Sequence, residues 1–231
     1  MDERFRRGGT TPVHTERGGR SLRRVRRALP LAALAILVAT AGRADAAVSE
    51  HDLQAKMAYC KTCHGVSGRG FRGGYYPIPR LAGQPVKYIE NQVQAFVEHR
   101  RTNNVMFNVA HVLSPDMVRT LAQNFHDLNP DPLGGAPKGL ASDGKKIFEA
   151  GIPPDVPPCA MCHGPEGKGN DDFPRLAGQL YDYIFAKLKN WDKERGQIPK
   201  NPDTSAIMQP IAHGLTDAQI KAVASYVSDL K

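Results

Sequence analysis

"CKTCHG" occupies Cys60 to Gly65, and "CAMCHG" occupies Cys159 to Gly164. These two stretches hold every cysteine of the 231-residue chain, and a histidine follows each pair at once. The match extends outward on both sides. "CKTCHGVSGRG" (Cys60 to Gly70) parallels "CAMCHGPEGKG" (Cys159 to Gly169). "PRLAGQ" stands at Pro79 to Gln84 and again at Pro174 to Gln179, each time followed by a Tyr-Ile pair, Tyr88-Ile89 and Tyr183-Ile184. "MFNVAHVLS" (Met106 to Ser114) parallels "MQPIAHGLT" (Met208 to Thr216). Three blocks in one order make the chain two copies of a single module.

Between the copies lies "NPDPLGGAP" (Asn129 to Pro137), whose prolines and glycines cannot continue a helix and suit a linker. This predicts modules at 47–128 and 138–231 with the linker at 129–137. Each module is small for a hydrophobic core alone, a size at which disulfides, metals or cofactors commonly add stability. Ahead of them, 1–46 reads as a secretory signal: arginine-rich "RSLRRVRR", apolar "ALPLAALAILVATA", then the cleavage site Ala44-Asp45-Ala46. The apolar run falls short of the roughly 17 to 25 residues of a membrane span. Of the formal net charge of +8, most belongs to this leader, with its ten arginines against four acidic residues. The exported part is near neutral overall, so the basicity does not point to nucleic acid. A periplasmic location is expected.

The periodicity is helical. In "TDAQIKAVASYVSDL" (Thr216 to Leu230), Ile220, Val223, Ala224, Val227 and Leu230 fall on one face, and Thr216 with Gln219 forms a capping box. The first copy has Val118, Leu121, Ala122, Phe125 and Leu128 at equivalent places, behind a Ser114 cap and Pro115. Another amphipathic stretch follows each PRLAGQ, with Val86, Ile89, Val93 and Phe96 in one copy and Leu180, Ile184, Leu188 and Trp191 in the other. Shorter helices are expected around 49–62 and 142–150. No clear strand alternation is present.

Cys-x-x-Cys-His is the attachment pattern of c-type haem. Two intervening residues give one helical turn, which presents both thiols to neighbouring edges of one porphyrin, and the next histidine lies beneath the iron. Cys60, Cys63 and His64 are therefore assigned to one haem, and Cys159, Cys162 and His163 to a second. A thioredoxin-like dithiol would need βαβ patterning and leaves the histidines unexplained. A zinc site drawing on both pairs leaves the flanking repeats without a role. An electron-carrying haem takes a second axial ligand, usually methionine or histidine. Met106 and Met208 correspond in the repeat and are the expected metal ligands beside His64 and His163. His111 and His213 also correspond and form the competing pair. A ligating histidine donates its other ring N–H to a fixed acceptor, and the carbonyls of Pro79 and Pro174 are candidates. Arg80 and Arg175 are candidates for the haem propionates, Leu81 and Leu176 for packing on the ring, and Gly83 and Gly178 for a tight turn.

Together these residues resemble the dihaem class I cytochromes c of the cytochrome c4 family. The resemblance covers nearly all of the chain beyond the leader, both CxxCHG motifs, both PRLAGQ segments, both methionines and "GIPPDVPPCAMCHG" (Gly151 to Gly164). It implies an all-α protein of two tandem class I cytochrome c domains with a pseudo-twofold relation. It further implies two covalently attached haem c groups (iron) near the domain interface, close enough to exchange electrons. Family membership implies an electron carrier, not an enzyme, working in the periplasm between a quinol-oxidising complex and a terminal oxidase. Such proteins are often loosely associated with the membrane. The loops depart from symmetry: His64 and Pro79 are further apart than His163 and Pro174, while the second copy is longer between its proline and its methionine. The alternative role is the cytochrome subunit of a periplasmic dehydrogenase. A dihaem peroxidase would need an open iron position, which the paired methionines argue against.

Overall fold

Polar side chains at helix starts fix where the elements begin. The computed structural model describes residues 48–73, 76–195 and 204–231, so the leader and its cleavage site lie outside the described residues. Helix α1 (Glu50–His64) starts at Ser49, whose hydroxyl accepts the Asp52 N–H, and runs straight into the first cysteine pair. Next come α2 (Val86–Val97), α3 (Asn104–Ala110) capped by Asn103, and α4 (Pro115–His126) capped by Ser114 with proline in its first turn. The second copy opens on a 3-10 turn (Lys138–Leu140) and α5 (Ala141–Ala150). It continues with α6 (Ala160–His163), α7 (Tyr181–Lys189) and α8 (Trp191–Glu194). It ends with α9 (Ser205–His213) and α10 (Asp217–Asp229), the latter with the expected Thr216–Gln219 capping box. Among the described residues there are isolated bridges, such as Phe71 with Ile78, and no strand. No helix among them is long and apolar enough to cross a membrane.

Three details differ from the sequence reading. The helix before the first cysteines runs on through them to His64, whereas its counterpart α5 ends at Ala150 as expected and a separate turn, α6, follows "GIPPDVPP", because prolines lack the N–H that a helix needs. The stretch around Leu188 and Trp191 is two helices, broken at Asn190. Both methionine-bearing blocks are helical, as α3 and α9, where no helix was expected.

Each copy has its own core. Leu53, Met57, Met117, Leu121 and Phe125 bring α1 onto α4, with Leu81 and Ile89 packed at the edge. Ile147, Phe148, Ile184, Val223 and Val227 bring α5 and α7 onto α10, with Leu176 at the edge.

Crossed polar contacts then join the copies. The Gln179 amide accepts the Arg80 N–H at 2.8 Å and donates to the Arg80 carbonyl at 3.0 Å. Gln84 does the same to Arg175, at 3.0 and 2.8 Å. All four residues are buried. The turn at Gly83 and Gly178 has positive φ, +75° and +70°, and an added Cβ at either would stand 3.1 Å from the other copy's arginine Nη1. A second crossed pair lies beyond. Arg101 covers the Phe96 ring and donates to the Tyr183 hydroxyl, while Arg195 covers the Trp191 ring and bonds the Tyr88 hydroxyl. These contacts are why the described residues all fall in one compact unit, Ala46–Lys231.

Symmetry fails at a half-buried position. Where the first copy has Gln92, which accepts from Arg101 at 2.8 Å, the second has Lys187. Burial, then Arg101 and Arg195, push the Lys187 ammonium down to about 7, and the Glu194 carboxylate pairs with it. Lys87 with Asp172 (3.0 Å) and the Thr102 N–H with the Glu194 carbonyl (2.8 Å) are further links.

Replacing either interface glutamine leaves a buried N–H and a buried carbonyl without partners, each costing about 1–3 kcal/mol. Gln84→Ala and Gln179→Ala should each lower unfolding free energy by at least ~2 kcal/mol in denaturant titration. Losses below ~0.5 kcal/mol in both, the range of ordinary surface changes, would show the crossed bonds to be dispensable.

Candidate haem sites

The two CxxCH histidines are held identically. His64 Nδ1 lies 2.9 Å from the Pro79 carbonyl, and His163 Nδ1 lies 2.9 Å from the Pro174 carbonyl. Since a carbonyl only accepts, each Nδ1 carries the proton and Nε2 keeps its lone pair for a metal. Both rings are buried. Burial pushes their pKa values below the ordinary imidazole range, against the opposing pull of the proline carbonyl. The imidazoles are therefore neutral, the ligating form, at neutral pH.

The backbone around each histidine closes on itself. The Gly70 N–H donates to the His64 carbonyl (2.9 Å), and Gly169 repeats this with His163 (2.8 Å). The Gly68 carbonyl accepts from Leu81 and Ala82, as that of Gly167 does from Leu176 and Ala177. At Gly70 an added Cβ would stand 2.6 Å from the Ile78 carbonyl, and at Gly169 2.4 Å from that of Phe173. The CxxCH turn and PRLAGQ thus form one rigid bracket per copy.

All four thiols are free. In each pair the first is half-buried, Cys60 and Cys159, and the second exposed, Cys63 and Cys162. One attachment point faces inward and one reaches the surface, as a flat ring with a single open edge requires. Burial raises Cys60 and pushes Cys159 up to about 11, which keeps these thiols protonated and unsuited to thiolate redox work. Among the described residues no group of three or more His, Cys, Asp or Glu could hold a metal, so the shared zinc site has no geometry to support it.

The methionines sort themselves by environment. Met57 and Met117 are buried in the first core, and Met161 is 74% exposed. Met106 and Met208 are half-buried on α3 and α9, which pack on α2 and on α7 with α8 respectively. The competing histidines face water. His111 bonds the Phe107 carbonyl (3.0 Å) and stacks on that ring, while His213 Nε2 pairs with Asp192 at 2.7 Å.

With that geometry in place, comparison with known proteins is decisive. The cytochrome c family model matches residues 54–128 and 141–231. The chain belongs to the cytochrome c family. It is 37% identical to cytochrome c-552 of Acidithiobacillus ferridurans, over 84% of each chain. It is 35% identical to a thiosulfate dehydrogenase electron acceptor of Thiomonas intermedia, covering 75% of this chain and 79% of that one. The solved structure of Acidithiobacillus ferrooxidans cytochrome c4 matches with a TM-score of 0.62 at 36% identity, covering 75% of this chain and 99% of that one. Two matched regions and these relatives make it a dihaem cytochrome c of the cytochrome c4 type, an electron carrier with covalent haem c whose partners are redox proteins.

The side chains of this cytochrome c fit that cofactor. Arg80 is buried, yet its Nη1 and Nη2 have no partner. Burial, Arg175 and Arg69 push its pKa down to about 10, still charged at neutral pH. Among the described residues nothing bonds these two donors, and haem carboxylates are acids that could. Sequence reasoning missed Gln84, Gln179, Arg101, Arg195 and the two tyrosines as interface residues. The available signal was that both glutamines, at the end of PRLAGQ, and both tyrosines recur at aligned positions of the two copies.

Gly169→Ala should displace the Pro174 carbonyl and leave the Gly70 bracket intact. The expected result is weakened ligation by His163 alone, seen as a changed visible absorption band of one haem out of two. An unchanged band at full haem content would mean that the bracket does not hold His163 in place.

Proposed function

We propose that Cys60, Cys63 and His64 anchor one haem and Cys159, Cys162 and His163 the other, with Met106 and Met208 as distal ligands. The observation that carries this reading is the duplicated histidine-to-proline bond, which frees one Nε2 per copy. The modules are taken as 47–128 and 138–231, joined by the linker at 129–137. Bound haem c supplies the one-electron chemistry. The polypeptide orients each imidazole through Pro79 or Pro174, encloses each iron with a methionine helix, and opposes propionate charge with Arg80 and Arg175. Methionine ligation in an apolar setting favours the reduced state, and a closed coordination shell limits rearrangement when the electron moves.

We place the protein in the periplasm, released from residues 1–46, with electrons arriving from a quinol-oxidising complex and leaving to a terminal oxidase. The likeness to a thiosulfate dehydrogenase electron acceptor favours one second reading, in which a periplasmic dehydrogenase is the donor. Steady-state reduction by each donor in turn separates the two.

Mass spectrometry of the exported protein should find two haem additions and no disulfide. Met106→Ala and Met208→Ala should each abolish the methionine charge-transfer band of one haem only, and unchanged bands in both would refute the distal assignment. Carbon monoxide should bind the reduced wild-type protein slowly and substoichiometrically. Rapid stoichiometric binding at neutral pH would instead indicate an open, catalytic iron.

A further inference from the structure

Gln84 and Gln179 do more than tie the modules together. The Arg80 N–H that Gln179 Oε1 accepts, at 2.8 Å, belongs to the same peptide group as the Pro79 carbonyl. That carbonyl takes the Nδ1 proton of His64 at 2.9 Å. One planar, conjugated unit is thus bonded at both ends, by an imidazole of its own module and by an amide of the other. The next peptide group is held in the same way. Its carbonyl, on Arg80, accepts from Gln179 Nε2 at 3.0 Å, and its N–H, on Leu81, donates to the Gly68 carbonyl in the turn after His64 at 2.8 Å.

The second module mirrors both chains of bonds. Gln84 Oε1 accepts the Arg175 N–H at 3.0 Å, and the Pro174 carbonyl of that peptide group takes the His163 proton at 2.9 Å. Gln84 Nε2 donates to the Arg175 carbonyl at 2.8 Å, and the Leu176 N–H donates to the Gly167 carbonyl at 2.7 Å. Gln84 and Gln179 are 3% and 4% exposed, so bulk water cannot stand in for either amide. The halves differ in one contact. Gln179 Oε1 also accepts the Leu180 N–H at 3.1 Å, whereas Gln84 is followed by Pro85, which has no N–H.

We propose that Gln179 is a positioning residue for the His64 haem and Gln84 for the His163 haem, so that each module sets the reduction potential of the other's iron. The inference rests on His64 and His163 being the proximal ligands. An acceptor on a peptide N–H pushes electron density through the amide to the carbonyl oxygen, because bonds in a chain polarise one another. The richer oxygen pulls harder on the Nδ1 proton, which makes the imidazole a stronger base toward its metal and favours the ferric state. Each glutamine therefore holds down the potential of the haem across the junction.

The test is a redox titration of the full dihaem protein, with the two haems resolved by NMR and the Nδ1–H resonances read in the diamagnetic ferrous form. Gln179→Met keeps the length of the side chain and removes the amide. It should raise the ferrous-to-ferric ratio of the His64 haem about threefold at a fixed potential and leave the His163 haem unchanged. The His64 Nδ1–H resonance should move upfield as its bond weakens, while that of His163 stays in place. Gln84→Met should give the converse pattern, and it carries the test alone if Gln179→Met does not fold, since it orphans one N–H fewer. Gln179→Glu keeps an oxygen acceptor of equal reach, so its ratio should stay at or below the wild-type value. A merely structural role would instead raise the ratio in both Gln179 variants, and that result would overturn the proposal. Equal shifts of the two haems, or a shift confined to the haem of the substituted module, would do the same. Pyridine haemochrome counting on every variant separates this from failure of the carrier reading. That reading falls if the wild-type protein lacks two haems, whereas the positioning role falls when both are present and the crossed pattern is missing.

Discussion

A six-residue segment, PRLAGQ, has to satisfy two masters in each copy. Its first residue fixes a histidine of its own module through a main-chain carbonyl, and its last grips the main chain of the other module. Between them the arginine is held by both, since its N–H and carbonyl are bonded from across the interface while its guanidinium Nε bonds its own Ala82 or Ala177 carbonyl. Movement of one module against the other would thus be felt at the imidazoles. The site cannot be described apart from the interface.

That arrangement explains why two small cores suffice. Each copy has one small apolar cluster, and the glutamine-to-main-chain bonds at the junction are repeated in both directions. Polar pairing of this kind contributes modest net stability but a large penalty for misalignment, so it specifies geometry more than it adds strength. For an electron carrier, fixed geometry is the useful quantity.

Much of this was legible in the sequence wherever the determining contact is local. Capping residues, the apolar faces of α4 and α10, the cysteine spacing and the proline acceptor all act within a short stretch of chain, and repetition doubled each signal. The crossed glutamines were not legible, because a residue that bonds a partner far along the chain leaves no periodic trace. The helices α3 and α9 leave a weak trace for a different reason: both are short, and only α3 has a side-chain cap, at Asn103. The end of α5 at Ala150 is legible from the prolines that follow it, whereas the single turn of α6 at the second cysteine pair is too short to leave a periodic signal. Lys187 in place of Gln92 was visible as a substitution, but only burial gives it meaning.

Because each module presents to its twin the same patch that it receives, the junction is self-complementary, as in a two-fold dimer. What makes it intramolecular is the short non-helical stretch between α4 and the 3-10 turn at Lys138, pinned where Ser225 bonds the Pro137 carbonyl and Lys231 pairs with Asp131. The tether sets a high effective concentration of one half around the other. Shortening it past its span would leave the patches unable to meet within one molecule, and two chains would then exchange halves to form an intertwined pair with every bond of the junction preserved.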